Sequence, residues 1–235
     1  MSQHIGIVAC SAEGAALCYR TICMEGGQIL GPHAHPEVSL HSQSLADYVK
    51  YLDHEDWQGV GELMLASATK LKQMGADFLI CPDNTIHAAL PYIRDRSPLP
   101  WLHIAEVVTD QATECGFTRV GLTGTRWLVQ SDVYPEKLAA RGLQHVRPNA
   151  IEREEINRII MQELVCGIFK PEAVAYFQNA IRRMKDDGCD AVVLGCTEIP
   201  LIINDGNSAL PTLDSTRLLA RAALRRAVQA SPAPA

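Results

Sequence analysis

The chain has 235 residues, 47% apolar and 20% charged, enough to fill a globular core as one large domain or two small ones. Its net charge of −6 argues against nucleic acid or an anionic membrane surface as a partner. No apolar run reaches the roughly 18 residues of a membrane helix, and Met1-Ser2-Gln3-His4 enters an apolar run without a basic leader, so a cytoplasmic protein is expected.

Residues 5–8 form an apolar run of strand length, and 12–24 read as the helix that follows. Residues 62–74 place Met64, Ala68 and Leu71 on one helical face, and Gly75 suits the helix end. A buried strand is predicted at 78–81, a helix at 105–114 and a strand at 119–123. Helices follow at 151–166 and 172–187, the second stopping at Gly188. A strand at 191–194, a closing helix at 213–228 and a disordered tail over 231–235 complete the chain. Strand–helix alternation with continuous apolar strands predicts parallel sheets flanked by helices. In such sheets ligands bind beyond the carboxyl ends of the strands.

Two segments read as copies of each other. Gly75-Ala76-Asp77-Phe78-Leu79-Ile80 leads to Cys81-Pro82-Asp83-Asn84-Thr85, and Gly188-Cys189-Asp190-Ala191-Val192-Val193-Leu194 leads to Gly195-Cys196-Thr197-Glu198. Each has a Gly-x-Asp turn, an apolar strand and a polar cluster. Asp83 and Cys196 fall at the same place in the two copies. Ile5-Gly6-Ile7-Val8 likewise resembles Val120-Gly121-Leu122-Thr123, with the polar loops Cys10-Ser11 and Gly124-Thr125 behind them. The duplication predicts an α/β fold of two pseudo-symmetric lobes with a site in the cleft between them. The lobes are expected over 1–104 plus 211–230, and over 105–210.

The eight cysteines include no C-x-x-C pair, so a zinc or redox motif is not supported, and reduced thiols are expected. Gly31-Pro32-His33-Ala34-His35-Pro36 reads as an exposed loop rather than a metal site. No metal site is predicted.

Cys196 directly follows a buried strand. If a helix starts there, its amides and dipole favour a thiolate and an anionic ligand. Thr197 can hydrogen-bond a carboxylate. The plain alternative is a structural cysteine. In Asp83-Asn84-Thr85-Ile86-His87, Asn84 and Thr85 can bind a carboxylate and Asp83 can accept a proton. Here the alternative is a helix-capping cluster.

Asp83-Asn84-Thr85-Ile86-His87 resembles the C-N-T-x-H motif of the aspartate/glutamate racemase superfamily, and Gly195-Cys196-Thr197-Glu198 resembles its G-C-T-E motif. Residues 5–19, 122–134 and Leu213-Asp214-Ser215-Thr216 are also similar to that family. The resemblance implies a cofactor-independent isomerase, an amino-acid racemase working as a homodimer on a small amino acid or carboxylic acid. In the family two cysteines face each other across the substrate α-carbon. The matching catalytic residues are Asp83 and Cys196. Asn84, Thr85 and Thr197 then hold the substrate α-carboxylate, and Ser11 and Thr125 line the site. Cys10, His87 and Glu198 are secondary candidates.

Asp83 stands where the family pattern has its first cysteine. Cys81 lies on the same side of an extended strand but about 6–7 Å back, a poor substitute. A free cysteine titrates near 8.5 and an aspartate near 3.9, so an exposed Asp83 accepts a proton more readily than it gives one. A dianionic substrate beside it needs a cation, for which Arg126 and Lys170 are candidates by sequence position. Two alternatives stand beside an aspartate/glutamate-like racemase: a single-cysteine isomerase or decarboxylase of the same superfamily, and a non-catalytic small-acid-binding protein.

Overall fold

The computed structural model describes residues 2–229, so the tail expected over 231–235 lies outside the described residues. By its contacts the chain divides into two units, residues up to 104 together with those from 216 onward, and residues 105–215. The first unit contains β1 (Ile5–Ala9), α1 (Ala12–Leu30), β2 (Val38–Ser42), α2 (Leu45–Asp53), α3 (Trp57–Gln73), β3 (Phe78–Ile80), α4 (Leu90–Ile93) and β4 (Trp101–Leu102). The chain then runs through α5 (Ile104–Glu114), β5 (Arg119–Thr123), α6 (Arg126–Gln130), α7 (Pro135–Ala140) and β6 (Gln144–Val146). It continues with α8 (Ala150–Gln162), α9 (Pro171–Asp186), β7 (Ala191–Leu194) and β8 (Thr212–Asp214), and α10 (Ser215–Gln229) returns to the first unit.

Each unit has a four-stranded, all-parallel sheet, ordered β2-β1-β3-β4 in one and β6-β5-β7-β8 in the other. The central strands β1, β3 and β7 are buried at every position, whereas β2, β4 and β6 are half-exposed edges. That division follows from composition: continuous apolar runs bury both faces of a strand, and Val-Ser-Leu-His-Ser cannot. In the first unit α3 turns Val60, Met64, Ala68 and Leu71 inward. In the second, α9 buries Phe177, Ile181 and Met184. The registers match, with Gly6 opposite Leu79 in one sheet and Gly121 opposite Val192 in the other. Neither glycine has room for a side chain. A Cβ on Gly6 would lie 2.8 Å from Leu79 Cδ2, and one on Gly121 would lie 2.5 Å from Met184 Sδ.

The two Gly-x-Asp turns do the same structural work at the amino ends of the sheets. Gly75 (φ +93°) and Gly188 (φ +84°) occupy backbone that favours glycine. Asp77 then accepts the His4 amide at 2.7 Å. Asp190 accepts the Thr118 amide (2.7 Å), the Thr118 hydroxyl (2.8 Å) and the Arg119 amide (3.1 Å). Each aspartate clips its strand to the start of the neighbouring one.

Several sequence expectations are corrected. The first helix runs on to Leu30 through Gly26-Gly27, because Gly26 lies against the His35 backbone where a Cβ would come 2.8 Å from the His35 Cβ. The helix expected over 151–166 ends at Gln162, and a separate 3-10 turn, Leu164–Cys166, follows. At the break, Arg158 and Lys170 hold the nearly buried Glu163 carboxylate at 2.8 and 3.4 Å. The closing helix starts at Ser215 because 212–214 pair with β7 as β8. Elements β2, α2, α4, β4, α6, α7 and β6 have no counterpart among the predicted elements, being short or half-exposed.

Candidate active site

In the first unit the polar loops after β1 and β3 emerge at the carboxyl ends of adjacent parallel strands. The first carries Cys10 and Ser11, the second Asp83, Asn84 and Thr85. Ser11 caps α1, its hydroxyl accepting the Gly14 amide at 3.3 Å. Asp83 is half-buried, and its Oδ1 accepts the Ile86 amide at 3.1 Å as a 3-10 turn, Thr85–Ala89, begins. Asn84 and Thr85 are buried beside it. Cys81 is fully buried. Burial, and then the neighbouring Asp83 carboxylate, push its thiol well above the ordinary range, which suits a core residue and not a base.

The second unit repeats the layout with different chemistry. Thr125, after β5, caps α6 by accepting the Leu128 amide at 3.3 Å, as Ser11 caps α1. Gly195 follows β7. A Cβ there would lie 2.4 Å from the Thr123 carbonyl, so only glycine lets the two strand ends approach. Cys196 Sγ then donates to Glu198 Oε2 at 2.9 Å, and the Thr197 hydroxyl donates to the same oxygen at 3.0 Å. Glu198 is 2% exposed, and among the described residues its Oε1 has no hydrogen-bond partner. No helix starts at Cys196, so the condition for a helix-dipole effect is not met. Only a three-residue 3-10 turn, Ile199–Leu201, follows, too short for a dipole. A buried carboxylate two residues away is what the thiol meets.

Each loop is backed by residues the motif reading passed over. Tyr48 of α2 is fully buried, and burial, followed by the nearby Cys81, Cys10 and Asp83, raises its phenol above the ordinary range. Its signal is faint: Tyr48 and Leu52 are the buried i, i+4 pair of a helix of only nine residues. In the second unit the Ser215 hydroxyl donates to the Leu194 carbonyl at 2.8 Å, holding the strand end before Cys196. Buried Tyr134 is raised too, by burial, with Ser215 opposing.

The two cations named from sequence position each have a contact within their own unit. Lys170 pairs with Glu163, and the Arg126 guanidinium lies over the Trp127 ring at 4.7 Å. His87 uses both ring nitrogens in backbone contacts, Nδ1 at 2.7 Å from the Asp83 carbonyl and Nε2 accepting the Ile104 amide at 3.2 Å. Among the described residues no group of three or more His, Cys, Asp or Glu side chains could hold a metal ion, and no helix is long and apolar enough to cross a membrane.

Each unit is an α/β fold on a parallel sheet, and the polar loop after its third strand carries a carboxylate in one unit and a thiol in the other. A profile of the Asp/Glu/hydantoin racemase family matches residues 7–223, and the chain belongs to that family. The broad-specificity amino-acid racemase RacX of Bacillus subtilis is 24% identical over 191 residues, 80% of each chain. A Yersinia pestis protein provisionally assigned as an Asp/Glu racemase superposes with a TM-score of 0.87 at 29% identity, covering 97% of this chain and 100% of that one. An aspartate racemase homologue from Pyrococcus horikoshii superposes with a TM-score of 0.82 at 26% identity, covering 96% and 99%.

Proposed function

We propose that the chain is a cofactor-independent amino-acid racemase acting on an aspartate- or glutamate-like substrate. Cys196 serves as one acid/base and Asp83 as the other. The observation that carries this reading is the Cys196–Glu198 pair, a thiol donating at 2.9 Å to a buried carboxylate just beyond a central strand. A carboxylate that takes the thiol proton leaves a thiolate, the form that abstracts protons. The equivalent loop of the other unit presents Asp83.

In one direction the Cys196 thiolate removes the α-proton. The C–H electron pair moves onto the substrate α-carboxylate as an enediolate, and protonated Asp83 returns a proton to the opposite face. In the other direction the Asp83 carboxylate removes the proton and the Cys196 thiol returns one. Asn84 and Thr85 hold the α-carboxylate. Thr197 joins them when its hydroxyl turns from Glu198, and Ser11 and Thr125 line the site. The family supports this assignment, and the broad-specificity relative is a reason to test neutral amino acids beside the acidic ones. A cytoplasmic homodimer belongs to the same reading, and sedimentation of the purified protein tests its size.

The test is a panel of L- and D-amino acids and small dicarboxylates incubated with the protein in D₂O and followed by proton NMR. Deuterium at the α-carbon with inversion is expected. Initial exchange rates should differ between enantiomers, because a thiol and a carboxyl, groups of different intrinsic acidity, serve opposite faces. Binding without any exchange sinks the proposal. One observation favours a second reading. Asp83 Oδ1 already serves the Ile86 amide, which suits a structural cap as well as a base. A one-base isomerase or decarboxylase would give exchange without inversion, or release CO₂.

A further inference from the structure

We infer that His87 is a positioning residue, a strut locked in one tautomer that ties the Asp83 backbone to the first amide of α5. Its ring is 1% exposed and its two contacts run in opposite senses. The Ile104 amide can only donate, so Nε2, at 3.2 Å, carries no proton. The Asp83 carbonyl can only accept, so Nδ1, at 2.7 Å, carries the proton. The imidazole is therefore neutral with its hydrogen on Nδ1. A proton leaving Nδ1, or arriving at Nε2, would break one end of the strut. That removes His87 as an acid or base in turnover and gives it another task.

The geometry explains why the task matters. Asp83 is held twice: its Oδ1 by the Ile86 amide and its carbonyl by His87. The far end of the strut is Ile104, the last residue of the first unit before the chain enters the second. The His103 ring packs edge-on against His87 with centroids 4.7 Å apart, restricting the imidazole. A carboxylate on a short loop would otherwise swing with the 3-10 turn. With the strut in place, its backbone origin is fixed relative to the start of α5.

This inference rests on the proposed role of Asp83, and its test separates the two. Long-range proton–nitrogen NMR on the full-length protein reads the ring directly. The histidine signal that vanishes in His87→Gln should be the one with a protonated Nδ1 and a bare Nε2; His35 and His54, whose Nδ1 atoms also face carbonyls, keep theirs. A ring protonated on Nε2 overturns the strut. In His87→Phe, kcat should fall on the order of 10²-fold with KM unchanged, the scale expected when a reacting group is misplaced by about 1 Å. His87→Gln, whose amide offers a donor and an acceptor, should recover much of that loss. Ile104→Pro deletes the amide at a first helical position where proline fits, while Ile104→Ala trims the side chain and keeps the amide. A kcat lower in the proline variant than in the alanine variant isolates the hydrogen bond. If all four variants lose only thermal stability and keep kcat, the positioning role is refuted. If they do not fold, the ring signals of the unmodified protein still decide. Full racemisation by Asp83→Asn would overturn the proton-carrier role of Asp83, whereas an Nδ1-protonated ring would still support the strut.

Discussion

The two polar loops stand on the same scaffold and are wired differently. Both follow the third strand of a parallel 2-1-3-4 sheet, and both lie beside a hydroxyl residue that caps the next helix. In the second unit the candidate thiol reaches forward to a partner, Cys196 to Glu198. In the first, the candidate carboxylate is engaged by its own loop, Asp83 to the Ile86 amide and, through the backbone, to His87. The duplication therefore reproduced a position rather than a chemistry. One copy holds a thiol beside a carboxylate. The other holds a carboxylate already tethered.

The comparison breaks most completely at Cys196. Cys196→Ala should lower racemisation by about 10³-fold, within the range for removing a general acid–base group. It should also lower the melting temperature modestly, since the buried Glu198 carboxylate loses one donor and keeps that of Thr197. Retained turnover, measured by polarimetry, would remove the thiol from the mechanism.

Asp83→Asn comes next. The amide oxygen can still accept from Ile86, so the loop should keep its shape while the base is lost. Racemisation is expected to fall about 10²-fold, with deuterium exchange initiated by Cys196 partly spared. An Asn variant as fast as the parent would leave Cys196 as the sole base. Glu198→Gln should cost about tenfold in kcat, because a neutral amide still accepts the thiol's hydrogen bond but no longer takes its proton. If kcat does not change, Glu198 is only a structural acceptor.

A smaller effect tests the scaffold rather than the chemistry. Asp190 is held below the ordinary carboxylate range. Its burial acts against this, and the hydrogen bonds from Thr118 and Arg119 outweigh it. A depressed folded-state value means the clip stabilises the fold above the unfolded value near pH 3.9, and is lost as pH falls through the lower folded value. Asp190→Ala should destabilise by about 1–3 kcal/mol at neutral pH and leave a shallower acid limb in denaturant titrations. Asp77→Ala, which loses one such bond, should cost less. Equal losses would mean that the clips are not the determinant.

The smallest expected effect concerns the thiols. Cys115 and Cys166 are exposed, whereas Cys196 is 9% exposed. An alkylating reagent should reach the exposed pair first without loss of activity. Cys115→Ser and Cys166→Ser should each change stability by no more than about 0.5 kcal/mol. Activity lost in step with labelling of either would challenge the primacy of Cys196.

Legibility tracked burial. The strands with continuous apolar runs, β1, β3, β5 and β7, and the long amphipathic α3 and α9 were visible in sequence because burying both faces of a strand, or one stripe of a helix, leaves a periodic mark. The edge strands left no such mark. Gln144-His145-Val146 pairs with β5 through its backbone, and a backbone ladder is indifferent to side-chain type. The long helix expected to reach Cys166 failed for a related reason. Its apolar spacing continues past Gln162, but Glu163, buried and held by Arg158 and Lys170, turns the chain there.

By itself, the sequence determined the duplication, the parallel sheets and the placing of Asp83 and Cys196 at matched positions. All three follow from strand length, glycine placement and hydrophobic period, which are local properties. Only the tertiary structure decided what those two residues touch. The same Cys-Thr-Glu string could have opened a helix; in the fold Cys196 and Thr197 turn onto Glu198 just after Gly195 packs against the Thr123 carbonyl, 72 positions earlier in the chain. His87 likewise reads as a titratable candidate until the Ile104 amide, 17 residues later, claims its second nitrogen. A hydrogen-bond partner distant in sequence leaves no local pattern, so its identity appears only when packing brings the two groups together.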